Sequence, residues 1–128
     1  MKVTLFPTLD EALALHGILI ERFGGSPGVR DLGLLATALM RPQSGYYATL
    51  FLEAAALLQS LAMNHPFVDG NKRVAFALTA IFLRMNGHRI EVGPDAGETF
   101  MRKHVIEGRV EIDAIATWLS AHAKRIRT

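Results

Sequence analysis

The sequence predicts an all-α fold of about six helices, two of them buried at the centre of the molecule. Apolar residues recur at helical spacing along most of the chain, and clusters of Gly, Pro and Asp separate the periodic segments. Two of these segments carry so few polar residues that they must be covered on most sides. With 128 residues, 50% hydrophobic and 20% charged, the chain has the size and composition of one globular domain, expected to span residues 1–128.

Composition excludes several classes of function. The chain has no cysteine, which excludes disulfides, a thiol nucleophile and cysteine-based metal sites, and which fits a reducing cytoplasm. A net charge of +2 is too small to indicate a nucleic-acid partner. Pro7 and Asp10 interrupt the N-terminus before the apolar region of a signal peptide can develop, and the longest apolar stretch, 74–83, is about half a membrane span. We therefore expect a cytoplasmic protein that binds neither nucleic acid nor membranes.

The first helix is predicted by its start and stop signals. Thr8 and Glu11 have the spacing of a capping box, which predicts a helix from Leu9 to Phe23 that ends at Gly24-Gly25. We interpret His16, within this helix, as a partly buried polar contact and not as a ligand.

A second helix and a flap come next. Asp31 is a good N-cap for a short helix that must end before Pro42. The segment 41–49 is rich in turn residues and is predicted to be a surface loop or flap. Tyr46 and Tyr47 of this flap either pack the loop or present an apolar surface to a peptide.

Two apolar helices are predicted at the centre. Residues 50–64 are mostly Ala and Leu, so this helix is buried over most of its circumference. The helix from Lys72 to Asn86 ends with Gly87 as the C′ residue. Its inward stripe is predicted to be Val74, Ala77, Leu78, Ile81, Phe82 and Met85.

The C-terminal third is predicted to hold a short extended piece at 88–92, a helix at 94–107 and a last helix at 111–125. Lys124, Arg125 and Arg127 form a basic tail, interpreted as the solvated end of the last helix.

The connection between the central helices, NHPFVDGNKR at 64–73, contains six polar residues among ten. Because a short connection places the two helices side by side, this loop must emerge at one end of the core. Asn71 is predicted to be an N-cap, which makes Lys72 and Arg73 the first helical residues. Free N–H groups and the helix dipole make such a first turn a phosphate site, while Phe67 can anchor the loop in the core.

The side chains of this loop suit phosphoryl or nucleotidyl transfer. Arg73 adds a bidentate cation, Lys72 a point charge, and Gly70 allows close approach of a ligand to the backbone. Asp69 offers a hard oxygen ligand for Mg²⁺. His65 is the nearby group whose ordinary pKa suits proton abstraction near neutral pH.

Residues 65–73, HPFVDGNKR, resemble the Fic motif H-x-F-x-(D/E)-(G/A)-N-(G/K)-R. Further likeness to the Doc (death on curing) branch of the Fic/Doc family lies in GGSPGVRD at 24–31, RPQ at 41–43 and FLRMNG at 82–87. The resemblance implies the compact helical Fic fold with a flap at 41–50. It also implies the toxin of a toxin-antitoxin pair, which modifies a hydroxyl on a translation protein similar to elongation factor Tu.

The resemblance also implies a role for each loop residue. His65 would be the catalytic base, Asp69 the catalytic Mg²⁺ ligand, and Phe67 would hold the loop. The phosphates of ATP, or of another nucleoside triphosphate, would be bound by Gly70, Asn71, Lys72 and Arg73, and Arg73 would also be catalytic. The partner would be an antitoxin whose disordered tail folds as a helix into a groove of the toxin.

Two departures from the family pattern bear on the reaction. Enzymes of the family that transfer AMP usually have Gly at the position of Lys72 and a second Arg at the position of Phe76. The Doc branch, with Lys, is thought to bind the nucleotide reversed and to transfer its terminal phosphate, so a kinase is favoured. Gly70, in contrast, is the residue of the AMP-transferring enzymes. AMP transfer therefore stays open as an alternative, as does a catalytically silent module that binds antitoxin.

The presence of Phe76 in place of the second Arg also predicts how activity is restrained. Many family members carry an inhibitory (S/T)-x-x-x-E-(G/N) helix whose Glu pairs with the second Arg. Here Lys103 stands at the Ser/Thr position before Glu107-Gly108, and Phe76 offers the Glu no partner. We therefore expect restraint by a separate antitoxin.

Overall fold

The computed structural model describes residues 3–126, which form six α-helices and one small two-stranded sheet. The helices are α1 Leu9–Phe23, α2 Leu32–Met40, α3 Leu50–Asn64, α4 Asn71–Met85, α5 Pro94–Thr99 and α6 Ile112–Ala121. The strands are β1 His88–Ile90 and β2 Ala123–Arg125. A 3₁₀ turn, Arg41–Gln43, follows α2, and a π-helical segment, Phe100–Glu107, continues α5. The predicted all-α class is confirmed.

Local start signals account for the first two helices. The Thr8 hydroxyl accepts a hydrogen bond from the Glu11 N–H at 3.1 Å, and the Glu11 carboxylate accepts one from the Thr8 N–H at 2.8 Å. This is the predicted capping box, and α1 has the predicted bounds. Asp31 caps α2 as predicted, because its carboxylate accepts a hydrogen bond from the Leu34 N–H at 3.0 Å.

Helix α3 is the central element and packs against both α4 and α6. Most of its circumference is buried, as predicted, and its bounds match the prediction. The predicted stripe of α4 is partly wrong: Ile81 is 39% exposed. The buried positions are Val74, Ala75, Leu78, Thr79, Phe82 and Leu83. Because α4 is apolar nearly all round, its sequence pattern does not determine which face meets α3.

The C-terminal region differs from the prediction in two ways. The last helix ends at Ala121, four residues before the predicted end at Arg125. The chain then forms β2, which pairs antiparallel with β1 in the register His88 to Arg125 and Ile90 to Ala123. Lys124 is therefore a strand residue and not the end of a helix.

Hydrogen bonds beyond the strands extend this pairing. The Glu91 N–H donates to the His122 carbonyl at 2.8 Å, and the Ile126 N–H donates to the Gly87 carbonyl at 2.9 Å. Arg127 of the predicted tail lies outside the described residues. The predicted helix 94–107 is α-helical only to Thr99 and π-helical from there on. Within residues 3–126, no helix has the combination of length and hydrophobicity needed to cross a membrane.

We expect Leu57→Ala to lower the free energy of unfolding by about 2–5 kcal/mol, because truncating a buried Leu loses transfer free energy and leaves a cavity. Leu57 is fully buried in α3. Leu32→Ala is the matched control, because Leu32 is 52% exposed at the start of α2. Urea unfolding followed by circular dichroism measures both changes. Equal losses in the two variants would contradict the placement of α3 at the centre.

Candidate active site

His65 lies at the junction between α3 and the connection to α4. It is the C-terminal cap of α3, with φ 50° and ψ 59°, a left-handed conformation that is uncommon for a residue other than Gly. Its side chain is exposed to solvent. In the part of the chain that the structure describes, no residue forms a hydrogen bond with the imidazole ring. The ring is therefore open to a group that approaches from solvent.

The guanidinium group of Arg30 holds the backbone at this junction. Its Nε donates to the His65 carbonyl at 2.6 Å, and its Nη2 donates to the Asn64 carbonyl at 2.8 Å. The backbone N–H groups of Arg30 and Asp31 both donate to the Pro66 carbonyl, at 2.8 and 3.0 Å. The end of α3 is thus bound to the segment that precedes α2.

The next residues of the connection pair with the same segment. Val29 and Phe67 form an isolated antiparallel bridge, and the Val68 N–H donates to the Gly28 carbonyl at 3.1 Å. Residues 66–68 therefore lie as a short extended piece against residues 28–31. This pairing fixes the path of the connection over the end of the core.

Phe67 is buried, with 1% of its surface exposed, and its ring stacks on His16 with centroids 3.9 Å apart. The Asn71 side chain accepts from the Phe67 N–H and donates to the Phe67 carbonyl, both at 2.9 Å. His16 Nε2 bonds to the Asp69 carbonyl at 2.8 Å, and because a carbonyl only accepts, Nε2 carries the hydrogen. The interpretation of His16 as a buried polar contact agrees with this geometry.

The predicted N-cap of α4 is wrong. Asn71 is the first residue of the helix, and the N-cap is Gly70, with φ 77° and ψ 15°. The Asn71 side chain is instead used to hold Phe67. Among residues 3–126, no side chain caps the first turn of α4, so the N–H groups of that turn remain available to an anion.

Asp69 is exposed and ionised beside this helix start. Its two carboxylate oxygens accept from the backbone N–H groups of Ser26 at 3.1 Å and Gly70 at 2.8 Å. These two hydrogen bonds hold the pKa of the Asp69 carboxyl below its usual range. A Cβ on Gly25, whose φ is +115°, would lie 2.9 Å from one of these oxygens, so a side chain there would displace the carboxylate. An exposed, ionised carboxylate of this kind fits the oxygen ligands that Mg²⁺ prefers.

The two cations of the first turn have different partners. Lys72 Nζ lies 2.9 Å from a carboxylate oxygen of Glu98, and Glu98 also pairs with Arg102 at 3.2 Å. The hydrogen bond from Lys72 is the main reason why the pKa of the Glu98 carboxyl is lowered. The guanidinium of Arg73 lies over the ring of Phe23, 4.4 Å from its centroid.

A cleft of about 690 Å³ opens beside Lys72 and Arg73. Its walls come from α1, α4 and α5, and its apolar lining includes Leu19, Phe23, Phe76 and Met101. The Phe76 ring packs edge-on against Trp118, with centroids 6.3 Å apart. The cleft therefore has apolar walls, and its charged lining consists of two cations, Lys72 and Arg73, and two carboxylates, Asp95 and Glu98.

The flap begins with the 3₁₀ turn and is irregular from Ser44 to Thr49. Arg41 fixes it, because Nε donates to the Tyr47 hydroxyl at 2.7 Å and Nη1 donates to the Ser60 hydroxyl at 2.8 Å. Tyr47 thus packs the loop, whereas Tyr46 is 84% exposed.

The sequence model of the Fic/DOC family matches residues 6–83, a range that includes α1 to α3 and most of α4. The chain belongs to the Fic/Doc family. It is 42% identical over 113 residues to Toxin Doc of Mycolicibacterium smegmatis, covering 83% of this chain and 86% of that protein. It is 31% identical over 114 residues to Protein kinase doc of Escherichia phage P1, covering 86% of this chain and 89% of that protein.

The Fic/Doc motif therefore occupies one end of the helical core. The structure brings His65, Asp69 and the first turn of α4 to the same connection, whereas the ammonium group of Lys72 is turned toward Glu98 of α5. The contacts of Glu98 and Arg30 do not follow from the sequence pattern. The charge of Arg30, inside the GGSPGVRD segment that resembles the family, was the one available signal for its contact.

We expect the Asp69 carboxyl to titrate below about 3.9, the usual value for Asp, because the two N–H groups stabilise its charged form. Its contribution to stability is then complete above the usual Asp pKa and is lost as the pH falls through the lower folded value. Carbon-13 NMR titration of the carboxyl carbon measures this pKa. The same chain unfolded in urea is the control, and a folded midpoint at or above about 4 would contradict the hydrogen bonds.

Proposed function

We propose that this protein is the toxin of a toxin-antitoxin pair and that it transfers the terminal phosphate of ATP to a protein hydroxyl. The observation that carries the proposal is the open His65 imidazole, one short connection away from an uncapped helix start that carries Arg73. The names of the relatives, Toxin Doc and Protein kinase doc, support the toxin and the kinase respectively. Following the family resemblance, the target is a translation protein similar to elongation factor Tu.

In this mechanism His65 is the general base. A neutral imidazole accepts the proton of the target hydroxyl as its oxygen attacks the terminal phosphorus. A new O–P bond forms and the bond from the β,γ-bridging oxygen to phosphorus breaks, so that ADP leaves with the electron pair. The reaction yields a phosphorylated target, ADP and one proton, first held by His65.

The helix start and its cations stabilise the triphosphate. The N–H groups of the first turn and the positive end of the α4 dipole face the phosphates, with Gly70 leaving room for close approach. Arg73 offers two parallel N–H donors to phosphate oxygens. Asn71 contributes through its position in this turn, because its side chain already holds Phe67. Asp69 is the residue that would hold Mg²⁺, which supplies positive charge at the phosphates when bound.

Lys72 is the residue that favours phosphate transfer over AMP transfer. A long cationic side chain stands where the AMP-transferring relatives have Gly, so the triphosphate must lie differently across the helix start. Phe76, which packs against Trp118, leaves no second guanidinium to clamp a phosphate. Glu98 pairs with Lys72, and the triphosphate competes with this carboxylate for the ammonium group.

The antitoxin is the second ligand of this proposal. The apolar lining of the cleft between α1, α4 and α5 suits one face of an amphipathic helix. Arg73, and Lys72 in competition with Glu98, would pair with acidic residues of that helix. An antitoxin tail seated there would cover the two cations that the nucleotide needs.

We expect the purified chain, with Mg²⁺ and a bacterial lysate, to transfer label from γ-labelled ATP to protein and to transfer none from α-labelled ATP. His65→Ala should lose the transfer, at least a hundredfold, because general-base catalysis contributes on the order of 10²–10⁴. His104→Ala is the matched control, because this exposed His lies in the π-helical segment. Label from the α-phosphate would establish AMP transfer instead. No label from either would favour the silent antitoxin-binding module.

We expect expression of the wild-type chain alone to arrest bacterial growth and expression of His65→Ala to permit it, because the proposed toxicity requires the base. Co-expression of the cognate antitoxin should restore growth. Growth curves at matched protein levels, verified by immunoblotting, make the comparison. Equal toxicity of the wild type and the variant would overturn the catalytic explanation.

A further inference from the structure

We propose that Arg30 is a positioning residue that sets the orientation of His65. Arg30 is exposed, and its guanidinium binds the carbonyls of Asn64, the last residue of α3, and His65, its C-cap. The catalytic consequence rests on the proposed function, because it assumes that His65 is the base. The conformational consequence does not.

The backbone conformation of His65 needs stabilising hydrogen bonds from outside α3. A helix usually ends with a left-handed Gly, whose missing Cβ removes the steric cost of that conformation. His65 adopts the left-handed conformation with a full side chain, and the last carbonyls of α3 have no partner within the helix. Arg30 supplies these carbonyls with donors.

The rigid geometry of the two guanidinium donors makes the contact specific for one backbone conformation. Nε and Nη2 are fixed relative to each other in one plane, so they bind two carbonyl oxygens only when those oxygens lie on the same side. The distances of 2.6 Å to the His65 oxygen and 2.8 Å to the Asn64 oxygen meet this condition. The pair of hydrogen bonds therefore favours the backbone rotation seen at His65 over the alternatives.

Arg30 is itself held in place by the loop that it binds. Its N–H donates to the Pro66 carbonyl, and the neighbouring Asp31 N–H donates to the same oxygen. The Val29–Phe67 bridge continues the pairing. The Arg30 backbone is therefore held beside the residue that follows His65. The two bound carbonyls belong to the successive peptides on either side of the His65 Cα, so rotation of one peptide relative to the other would break at least one of the hydrogen bonds.

The nucleotide site has separate supports. Asn71 and His16 hold Phe67 and the Asp69 carbonyl from the other side of the connection. The Asp69 carboxylate is held by Ser26 and Gly70. Removing the guanidinium should therefore misplace the base and leave nucleotide binding intact.

The test compares Arg30→Ala and Arg30→Lys with the matched control Arg84→Ala in the full chain. Arg84 is exposed in the last turn of α4, at the end of that helix opposite the connection. We expect the kcat of phosphate transfer to fall about tenfold to hundredfold in Arg30→Ala, since small misplacements of a reacting group cost on this order. The KM for ATP should change less than twofold. Arg30→Lys should recover little, because one ammonium group does not bind both carbonyls.

Two further measurements separate positioning from simple loss of stability. Added guanidinium ion at millimolar concentration should restore part of the rate of Arg30→Ala and none of the rate of His65→Ala. Carbon-13 shifts of His65 Cα and Cβ, which report backbone conformation, should move away from left-handed values in both Arg30 variants and stay unchanged in Arg84→Ala. Should Arg30→Ala not fold, the Arg30→Lys variant, which keeps the charge, decides the test through its kcat and its His65 shifts.

The inference is overturned if kcat stays within twofold of the wild type or if the His65 shifts do not move. If the wild-type chain transfers no phosphate at all, the proposed function fails. The His65 shifts then still decide whether Arg30 sets the backbone.

Discussion

The connection between α3 and α4 depends on hydrogen bonds to its own main chain. Arg30 binds the carbonyls at its start, Asn71 binds both backbone groups of Phe67, and His16 binds the Asp69 carbonyl. A loop of this length forms no regular helix or strand hydrogen bonds of its own. Leaving its backbone N–H and carbonyl groups unpaired where the chain enters the core would cost folding free energy. The side chains of Arg30, Asn71 and His16 supply these hydrogen bonds, and the same hydrogen bonds fix the backbone conformation of the connection.

In this arrangement one set of side chains holds the backbone of the connection, and another set is left free for function. The side chains of His16, Arg30 and Asn71 bind the main chain of the connection, as does the Asp69 carboxylate. Among the described residues, the His65 imidazole and the Arg73 guanidinium form no hydrogen bonds. Arg73 is oriented by the face of Phe23, a contact that leaves its N–H groups able to donate. Fixed backbone with free functional groups is the geometry that preorganised catalysis requires.

The sequence predicted what local interactions determine. The bounds of α1 followed from a capping box and those of α3 from a run of helix-forming residues, and both signals act within a few positions. The buried face of α4 did not follow, because a helix that is apolar all round gains similar free energy on either face until α3 and α1 cover it. Strand β2 was missed because three residues gain their stability from β1, far away in the sequence.

The candidate site shows the same limit. The motif at 65–73 could be predicted because its residues are adjacent in sequence, but the supports of the loop could not, since Arg30 and His16 reach it across 35 and 53 positions. The mistaken N-cap at Asn71 has this cause as well. Asn is a good cap by local preference, but Phe67, four residues earlier, offers its side chain two hydrogen bonds at once.

The charges around the cleft bear on how activity could be restrained. Glu98 pairs with Lys72, but both side chains are more than two-fifths exposed, so solvent screens the ion pair and the carboxylate is held there only weakly. Glu107 lies 3.9 Å from Arg102 of its own segment, and the α4 position at which other family members have the second Arg is Phe76. Neither carboxylate can therefore close the phosphate site firmly from within the described chain.

A segment that buries Lys72 and Arg73 beneath apolar contacts would be far more effective, because desolvation strengthens its ion pairs while it also excludes the nucleotide. The apolar walls of the cleft provide those contacts, which is the physical reason to expect control by a separate chain.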